Sequence, residues 1–411
     1  MSNILGIICE YNPFHNGHLY HLNEAKRLTN SDYSVAVISG NFSQRGDPAI
    51  VSKWIKTEMA LKCGIDLVLE LPTIYSISSA ENFAYGAIKI LDSLNLVDYL
   101  CFGSECGDIS ILDDIVQVLV EEPKAYRTLL SHELSTGVSF PKAREKALMM
   151  YLGNMRRFAN VLSSPNNILG IEYLKALKKQ DSFIQPVTIK RQEAEHNNNM
   201  FSSSSRFASG SAIRSACISP NIDQLQKYMP EDSFYLLEDC LKKGNYVKDL
   251  SAFDKEILYT LRRMTIADIA NLPDVSEGLE YAIKNAANSC NSVVELLTLI
   301  DTKRYKTRLQ RILLYAILGI TKDDMQLSKK VAPYIRILGF NENGKKIISE
   351  ASRRNPKLNL ITSPKKFMDG SSNKNLKHLL QKDIWASNVY TLGFEYESKS
   401  NLDYTHKLII V

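Results

Sequence analysis

The stretch Ile4-Leu-Gly-Ile-Ile-Cys9-Glu10-Tyr11-Asn12-Pro13-Phe14-His15-Asn16-Gly17-His18-Leu19-Tyr20 decides how the rest of the chain reads. The apolar run Ile4–Cys9 has the pattern of a strand buried on both faces. It passes through a turn containing Pro13 into a helical pattern over His18–Leu28. In a parallel α/β sheet that junction is the C-terminal edge, where phosphates meet a helix N-terminus. Gly17 lets a ligand approach the backbone closely. His15 and His18 are three apart, so both can face one ligand from the first helical turn.

Four more runs of the same kind follow: Tyr33–Ser39, Leu67–Leu71, Tyr99–Phe102 and Phe183–Ile189. Helical patterns at Lys53–Cys63 and Ala80–Leu94 lie between them. Strands alternating with helices predict a Rossmann-like parallel five-stranded α/β domain over residues 1–220. The stretch 107–182 is too long for one crossover and reads as a helical insertion. Residues 193–211 are polar and read as a loop, with Ser209 or Ser211 as the cap of a following helix. From 221 to 411 strand-like runs become rare. Helical periodicity at Lys255–Ile269, Gly278–Asn288, Val293–Leu299 and Thr302–Leu318 predicts a mainly α-helical second domain, with a small α/β element near 358–411.

A chain of 411 residues suits two or three domains. Its 45% hydrophobic and 23% charged residues exclude a disordered or collagen-like chain. The net charge of +5 hides an asymmetry. Residues 1–215 carry 21 basic and 22 acidic residues, whereas 216–411 carry 29 and 23. Seven cysteines without CxxC spacing argue against a disulfide framework or a zinc ribbon. No segment reaches about 18 unbroken apolar residues, and no basic leader precedes Ile4, so a cytoplasmic protein without a membrane partner is expected.

Two histidines beside a triphosphate have a defined task. Displacement at the α-phosphate spreads negative charge over the phosphoryl oxygens, and placed N–H donors stabilise that charge most in the transition state. Two other readings stay open at this point. His15, His18 and His21 form HxxHxxH, a possible metal cluster, or they serve only as caps and core residues.

The motif Asn12-Pro-Phe-His15-Asn-Gly-His18 resembles the HxGH signature of the nucleotidyltransferase superfamily, with Cys9 where the usual pattern has glycine. Ser209-Gly-Ser211-Ala-Ile-Arg214 resembles its second motif, in which the Arg would hold the β- and γ-phosphates. More specifically, Gly6–His18, Ser39–Gly46, Phe102–Glu105, Ser164–Gly170, Ile189–Arg191, Arg262–Thr265 and Lys303–Arg308 are similar to the bacterial tRNA(Met) cytidine acetate ligase family. The likeness covers nearly the whole chain. It implies formation of N4-acetylcytidine at the wobble position of elongator tRNA(Met), from acetate and ATP through an acetyl-adenylate. It implies an ATP site at Ile7, Ile8, Cys9, Glu10, Tyr11, Asn12, Pro13, Phe14, His15, Asn16, Gly17, His18, Leu19 and Tyr20, joined by Gly103, Asn167, Arg191 and Ser211. His15, His18 and Arg214 would be catalytic. No dedicated protein metal site is expected, and any Mg²⁺ would ride on the phosphates.

The loop after the second run offers Asn41, Gln44 and Arg45 for acetate or cytosine, and Lys53 as a further phosphate contact; a plain polar loop is the alternative. Lys303, Arg304, Lys306, Arg308 and Arg311 are candidates for tRNA. Arg304, Arg308 and Arg311 share a helix face, which is either a solvated basic face or an RNA-backbone contact. The competing functions are a metabolic adenylyltransferase acting on a small phosphorylated cofactor precursor and a non-catalytic RNA-binding protein. The residues alone leave the oligomeric state and the selection of acetate open.

Overall fold

The structure, a computed structural model, describes residues 3–138, 140–153, 155–158, 160–191, 206–218, 222–276, 278–300 and 306–411. All five apolar runs form strands: β1 (Ile4–Cys9), β2 (Tyr33–Ser39), β3 (Leu67–Leu71), β4 (Tyr99–Ser104) and β5 (Gln185–Lys190). They pair in parallel in the order β5-β4-β1-β2-β3. The last strand starts two residues later than its apolar run, because Phe183 points into solvent at 95% exposure. Chain order reverses between β1 and β4, so the C-terminal ends of these two strands flank the crevice where such sheets take ligands.

Alternation along each strand divides the core between two faces. Leu5, Ile7, Ala36, Ile38 and Val68 pack under the helices Asn16–Thr29 and Lys53–Lys62. Ile4, Ile8, Val35, Val37 and Leu69 face the helices Ala80–Ser93 and Pro165–Lys179. Gly6 permits close approach here, since a Cβ would lie 3.0 Å from both Leu91 and Val97. The stretch 107–182 is helical as expected, from Ile109–Glu121 to Pro165–Lys179.

The second half is mainly helical from Gly210 to Lys330 and then returns to the sheet. Three further strands, β6 (Tyr334–Phe340), β7 (Asn359–Ile361) and β8 (Ile409–Ile410), extend it to eight. β6 runs antiparallel to β3 and covers the edge that β3 would otherwise expose. The C-terminal α/β element is thus continuous with the first-half sheet. One hydrophobic cluster runs from Ile4 through Leu313 to Tyr390, so residue 220 does not divide the core.

A buried ionic cluster ties the chain's end to this core. The Lys53 ammonium donates to Glu70 Oε1 and Oε2 at 2.8 and 3.0 Å and to Asp403 Oδ1 at 2.8 Å. Arg336 of β6 donates to the same Asp403 oxygen at 3.3 Å. The Trp54 ring lies next to it, stacked on His406 with centroids 4.3 Å apart.

The helix Lys306–Leu318 docks on the loop after β2. Gly46 has φ +82°, and a Cβ there would fall 2.6 Å from Arg311 N and 2.7 Å from Gln310 Cβ. Gln310 Nε2 donates to Asp47 Oδ1 at 2.5 Å. Gly46→Ala combines left-handed strain with this clash and is expected to cost more than ~1 kcal/mol, read from the urea unfolding midpoint.

Candidate active site

β1 delivers the chain into a turn that places both histidine rings together. Tyr11 adopts φ +46°, a left-handed conformation held by the packing of its ring on Phe14 and His18. His15 caps the following helix: its Nδ1 accepts from Gly17 N–H at 3.1 Å. His18 Nδ1 in turn accepts from His15 N–H at 3.2 Å. The two rings stack with centroids 3.7 Å apart. With each Nδ1 acting as acceptor, the proton of each neutral ring resides on Nε2. The turn therefore presents two Nε2–H donors. Gly17 is needed here, because a Cβ would come within 2.9 Å of the His15 ring.

The second motif meets the first. Ser209 caps the helix Gly210–Cys217 by accepting from Ala212 N–H at 3.1 Å, and Ser211 Oγ lies 3.0 Å from Ser209 Oγ. Arg214 Nη1 donates to the Asn12 carbonyl at 2.8 Å. The Cα of Gly210 faces His15, with a Cβ position only 3.9 Å from His15 Nε2. A helix N-terminus, a guanidinium and an imidazole donor thus border one space, suited to an anion.

Electrostatics agree with this. Burial, then the charges of Arg191 and Arg214, push His15 down to about 3. Burial and Arg191 bring His21 to about 4, and burial with its histidine neighbours holds His18 well below the usual range. All three rings are neutral at pH 7. The unfolded chain protonates them near 6.5, so stability is full above that pH and falls as pH drops towards about 4. His21→Gln is expected to flatten that acid limb, measured as unfolding free energy against pH.

The other residues expected to join the ATP site, Gly103, Asn167 and Arg191, gather around the ends of β4 and β5. Gly103 lies against Arg191, with a Cβ position 3.3 Å from Arg191 Cγ. Asn167 is buried, and its Oδ1 accepts from Glu105 and Cys106 N–H at 2.9 and 3.1 Å. Arg191 Nη1 donates to Asn166 Oδ1 at 3.1 Å. Ile7, Ile8 and Phe14 are core residues, and Asn12 Oδ1 accepts from Ile50 N–H at 2.8 Å. Asn16 Nδ2 donates to the Arg206 and Lys227 carbonyls, and Tyr20 packs edge-on against Phe207. Pro13, Leu19 and Cys9 frame the turn; burial pushes the Cys9 thiol up to about 12, so it fills the glycine's place as an inert group.

The loop residues divide differently from their sequence reading. Asn41 is buried, accepting from Lys53 N–H at 2.8 Å and donating to Ser387 Oγ at 3.2 Å. Lys53 is fully buried in the ionic cluster, which corrects its reading as a phosphate contact: two carboxylates hold its ammonium inside the fold. Gln44 donates through Nε2 to Ser78 O and through its N–H to Glu10 Oε1 at 2.7 Å. Arg45 is exposed and close enough to oppose the charge of Arg214.

The basic helix is narrower than its spacing suggested. Arg308 Nε donates to Asp274 O at 2.8 Å and Nη2 to Ser276 Oγ at 2.7 Å. Arg311 Nε pairs with Asp274 Oδ2 at 2.9 Å and is largely covered. Lys306 is exposed and near enough to act on Asp47, whose carboxyl burial pushes above the ordinary range against the charges of Arg214 and Lys306. Lys303 and Arg304 lie outside the described residues, as does most of the polar loop expected at 193–211.

Sequence reasoning passed over Lys56. Its buried ammonium donates to the Glu10 and Ser39 carbonyls at 3.0 and 2.7 Å, joining the C-terminal ends of β1 and β2. Burial lowers it to about 8. The only signal was a second lysine one turn after Lys53. Among the described residues no group of three His, Cys, Asp or Glu side chains is placed to hold a metal ion, and no helix is long and apolar enough to cross a membrane.

Comparisons agree with the geometry. The family model HIGH Nucleotidyl Transferase matches residues 2–404. A tRNA(Met) cytidine acetate ligase of Thermoanaerobacter sp. (strain X514) is 45% identical over 409 residues, covering 99% of each chain. One of Acetivibrio thermocellus is 43% identical over 417 residues, covering 99% of this chain and 100% of its own. Among solved structures, Thermotoga maritima TmcAL bound with alpha-thio ATP superposes with TM-score 0.91 at 34% identity, covering 99% of both chains. The apo form gives 0.93, covering 100% of this chain and 99% of the other.

Proposed function

The chain belongs to the HIGH nucleotidyl transferase family and, within it, to the tRNA(Met) cytidine acetate ligases, and we propose that it acetylates a cytidine of tRNA(Met) using acetate and ATP. The observation that carries the chemistry is the stacked His15–His18 pair with His15 Nε2 beside the capped helix N-terminus and Arg214. Acetate attacks the α-phosphorus, forming acetyl-adenylate, and pyrophosphate leaves. His15 and His18 stabilise the charge that grows on the phosphoryl oxygens. Arg214, with Ser211 at the helix N-terminus, holds the departing phosphates. Any Mg²⁺ enters with the triphosphate. In the second step the cytosine N4 amine takes the acetyl group and AMP leaves.

The target is the wobble cytidine of elongator tRNA(Met), whose unpaired anticodon base can enter such a site. The enzyme acts in the cytoplasm, on tRNA. Arg45 and Lys306 are exposed and near enough to act on Arg214 and Asp47 respectively, and they supply positive charge for the RNA backbone, with Lys303 and Arg304 adjoining Lys306 in sequence. Lys306→Glu is expected to weaken tRNA binding and reduce its salt slope by about one, while acetate-dependent ATP–pyrophosphate exchange survives. Filter binding across a salt series reads the first, and label exchange the second. Exchange driven by a nucleotide or pantetheine phosphate in place of acetate would favour the metabolic adenylyltransferase instead.

A further inference from the structure

We propose that Glu10 is the general base of the acetyl-transfer step, taking the proton that the cytosine N4 amine loses as it attacks the acetyl-adenylate. This rests on the function proposed above. The lone pair of N4 forms the C–N bond to the acetyl carbon. The bond from that carbon to the phosphate oxygen breaks, and its electron pair leaves with AMP. One N4 proton must go elsewhere, because the exocyclic amine gains positive charge as the bond forms.

The histidines cannot receive it. Each Nδ1 already accepts a backbone N–H, and each Nε2 carries the ring's proton. Other carboxylates near the site are committed or lie off the histidine turn. Glu105 accepts from Asn166 N–H, Asn166 Nδ2 and Asn167 N–H. Glu70 and Asp403 hold the Lys53 ammonium. Asp47 accepts from Gln310 through Oδ1 and belongs to the loop after β2, not to the turn that carries the histidines.

Glu10 stands apart in position. It follows β1 directly and opens the turn that carries both histidines. Lys56 fixes its carbonyl at 3.0 Å, and Gln44 N–H fixes its Oε1 at 2.7 Å. No described residue hydrogen-bonds its Oε2. Its charge is felt by both Arg214 and Lys56, so the carboxylate lies near both cations. Gln44 belongs to the loop on which the helix Lys306–Leu318 docks, the helix that carries the exposed Lys306. The carboxylate is thus anchored at one oxygen, with the other available to take a proton.

The test separates the two half-reactions with Glu10→Gln, which keeps the acceptor for Gln44 N–H. Single-turnover transfer from preformed acetyl-adenylate to tRNA is expected to slow by ~10²–10⁴-fold, while acetate-dependent ATP–pyrophosphate exchange falls by far less. Glu10→Asp is expected to restore part of the transfer rate. Transfer at the wild-type rate, or an equal fall in both half-reactions, would overturn the assignment. Failure of wild-type enzyme to acetylate tRNA at all would instead count against the proposed function itself.

Discussion

His15→Ala is expected to lower acetate-dependent ATP–pyrophosphate exchange by ~10²–10³-fold, the usual consequence of losing one donor aimed at developing charge. The side chain has two separable roles. Nδ1 caps the helix through Gly17 N–H, and the opposite nitrogen lies 3.9 Å from the Cβ position of Gly210 at the start of the next helix. Alanine removes both, and loss of the cap alone costs ~0.5–2 kcal/mol of stability. His15→Asn keeps a cap acceptor and removes the imidazole donor. The account therefore expects asparagine to recover most of the stability and little of the exchange rate. A variant with the cap restored and exchange near wild type would show that the ring acts only as a cap. Denaturant midpoints and exchange rates on both variants decide this.

Asp403→Ala is expected to be the most damaging single change to the fold, at ~3–5 kcal/mol. The aspartate lies in a short helical turn, Leu402–Thr405, eight residues from the chain's end. Its carboxylate bridges Lys53 and Arg336, whose side chains are 0% and 2% exposed. Removal leaves both cations inside the fold with Glu70 as the nearest compensation. The cost should appear in the urea midpoint even though the residue is remote from the histidines. Because Lys53 begins the helix that carries Lys56, a smaller loss of ATP–pyrophosphate exchange is expected with it. A midpoint within ~0.5 kcal/mol of wild type would mean that solvent reaches and relieves the cluster.

What was legible in the sequence follows from how local each signal is. The five parallel strands stood out because strands buried on both faces are written as continuous apolar runs. β6 did not, since Arg336 interrupts Tyr334–Phe340 and its partner β3 lies far away in the chain. β8, two residues long, has no local signature. The histidine turn and the Ser209–Arg214 helix start were readable because each is a short, contiguous piece of chemistry. Asn41 and Lys53 misled for the opposite reason. Polar residues after a strand look like ligand contacts, and only the fold shows that Ser387 and Asp403 arrive from more than three hundred residues away to occupy them. Arg308 and Arg311 likewise shared a helix face on paper, while the Asp274–Ser276 turn that binds them is invisible to helical spacing. Lys56 carries no motif; its role exists only where the ends of β1 and β2 converge.

The central claim is tested most directly by incubating the enzyme with ATP, isotopically labelled acetate and elongator tRNA(Met), then digesting the RNA and analysing nucleosides by mass spectrometry. The account expects labelled N4-acetylcytidine at the wobble position, with AMP and pyrophosphate formed in step with it. Label absent from the RNA, or incorporated without ATP, would contradict it.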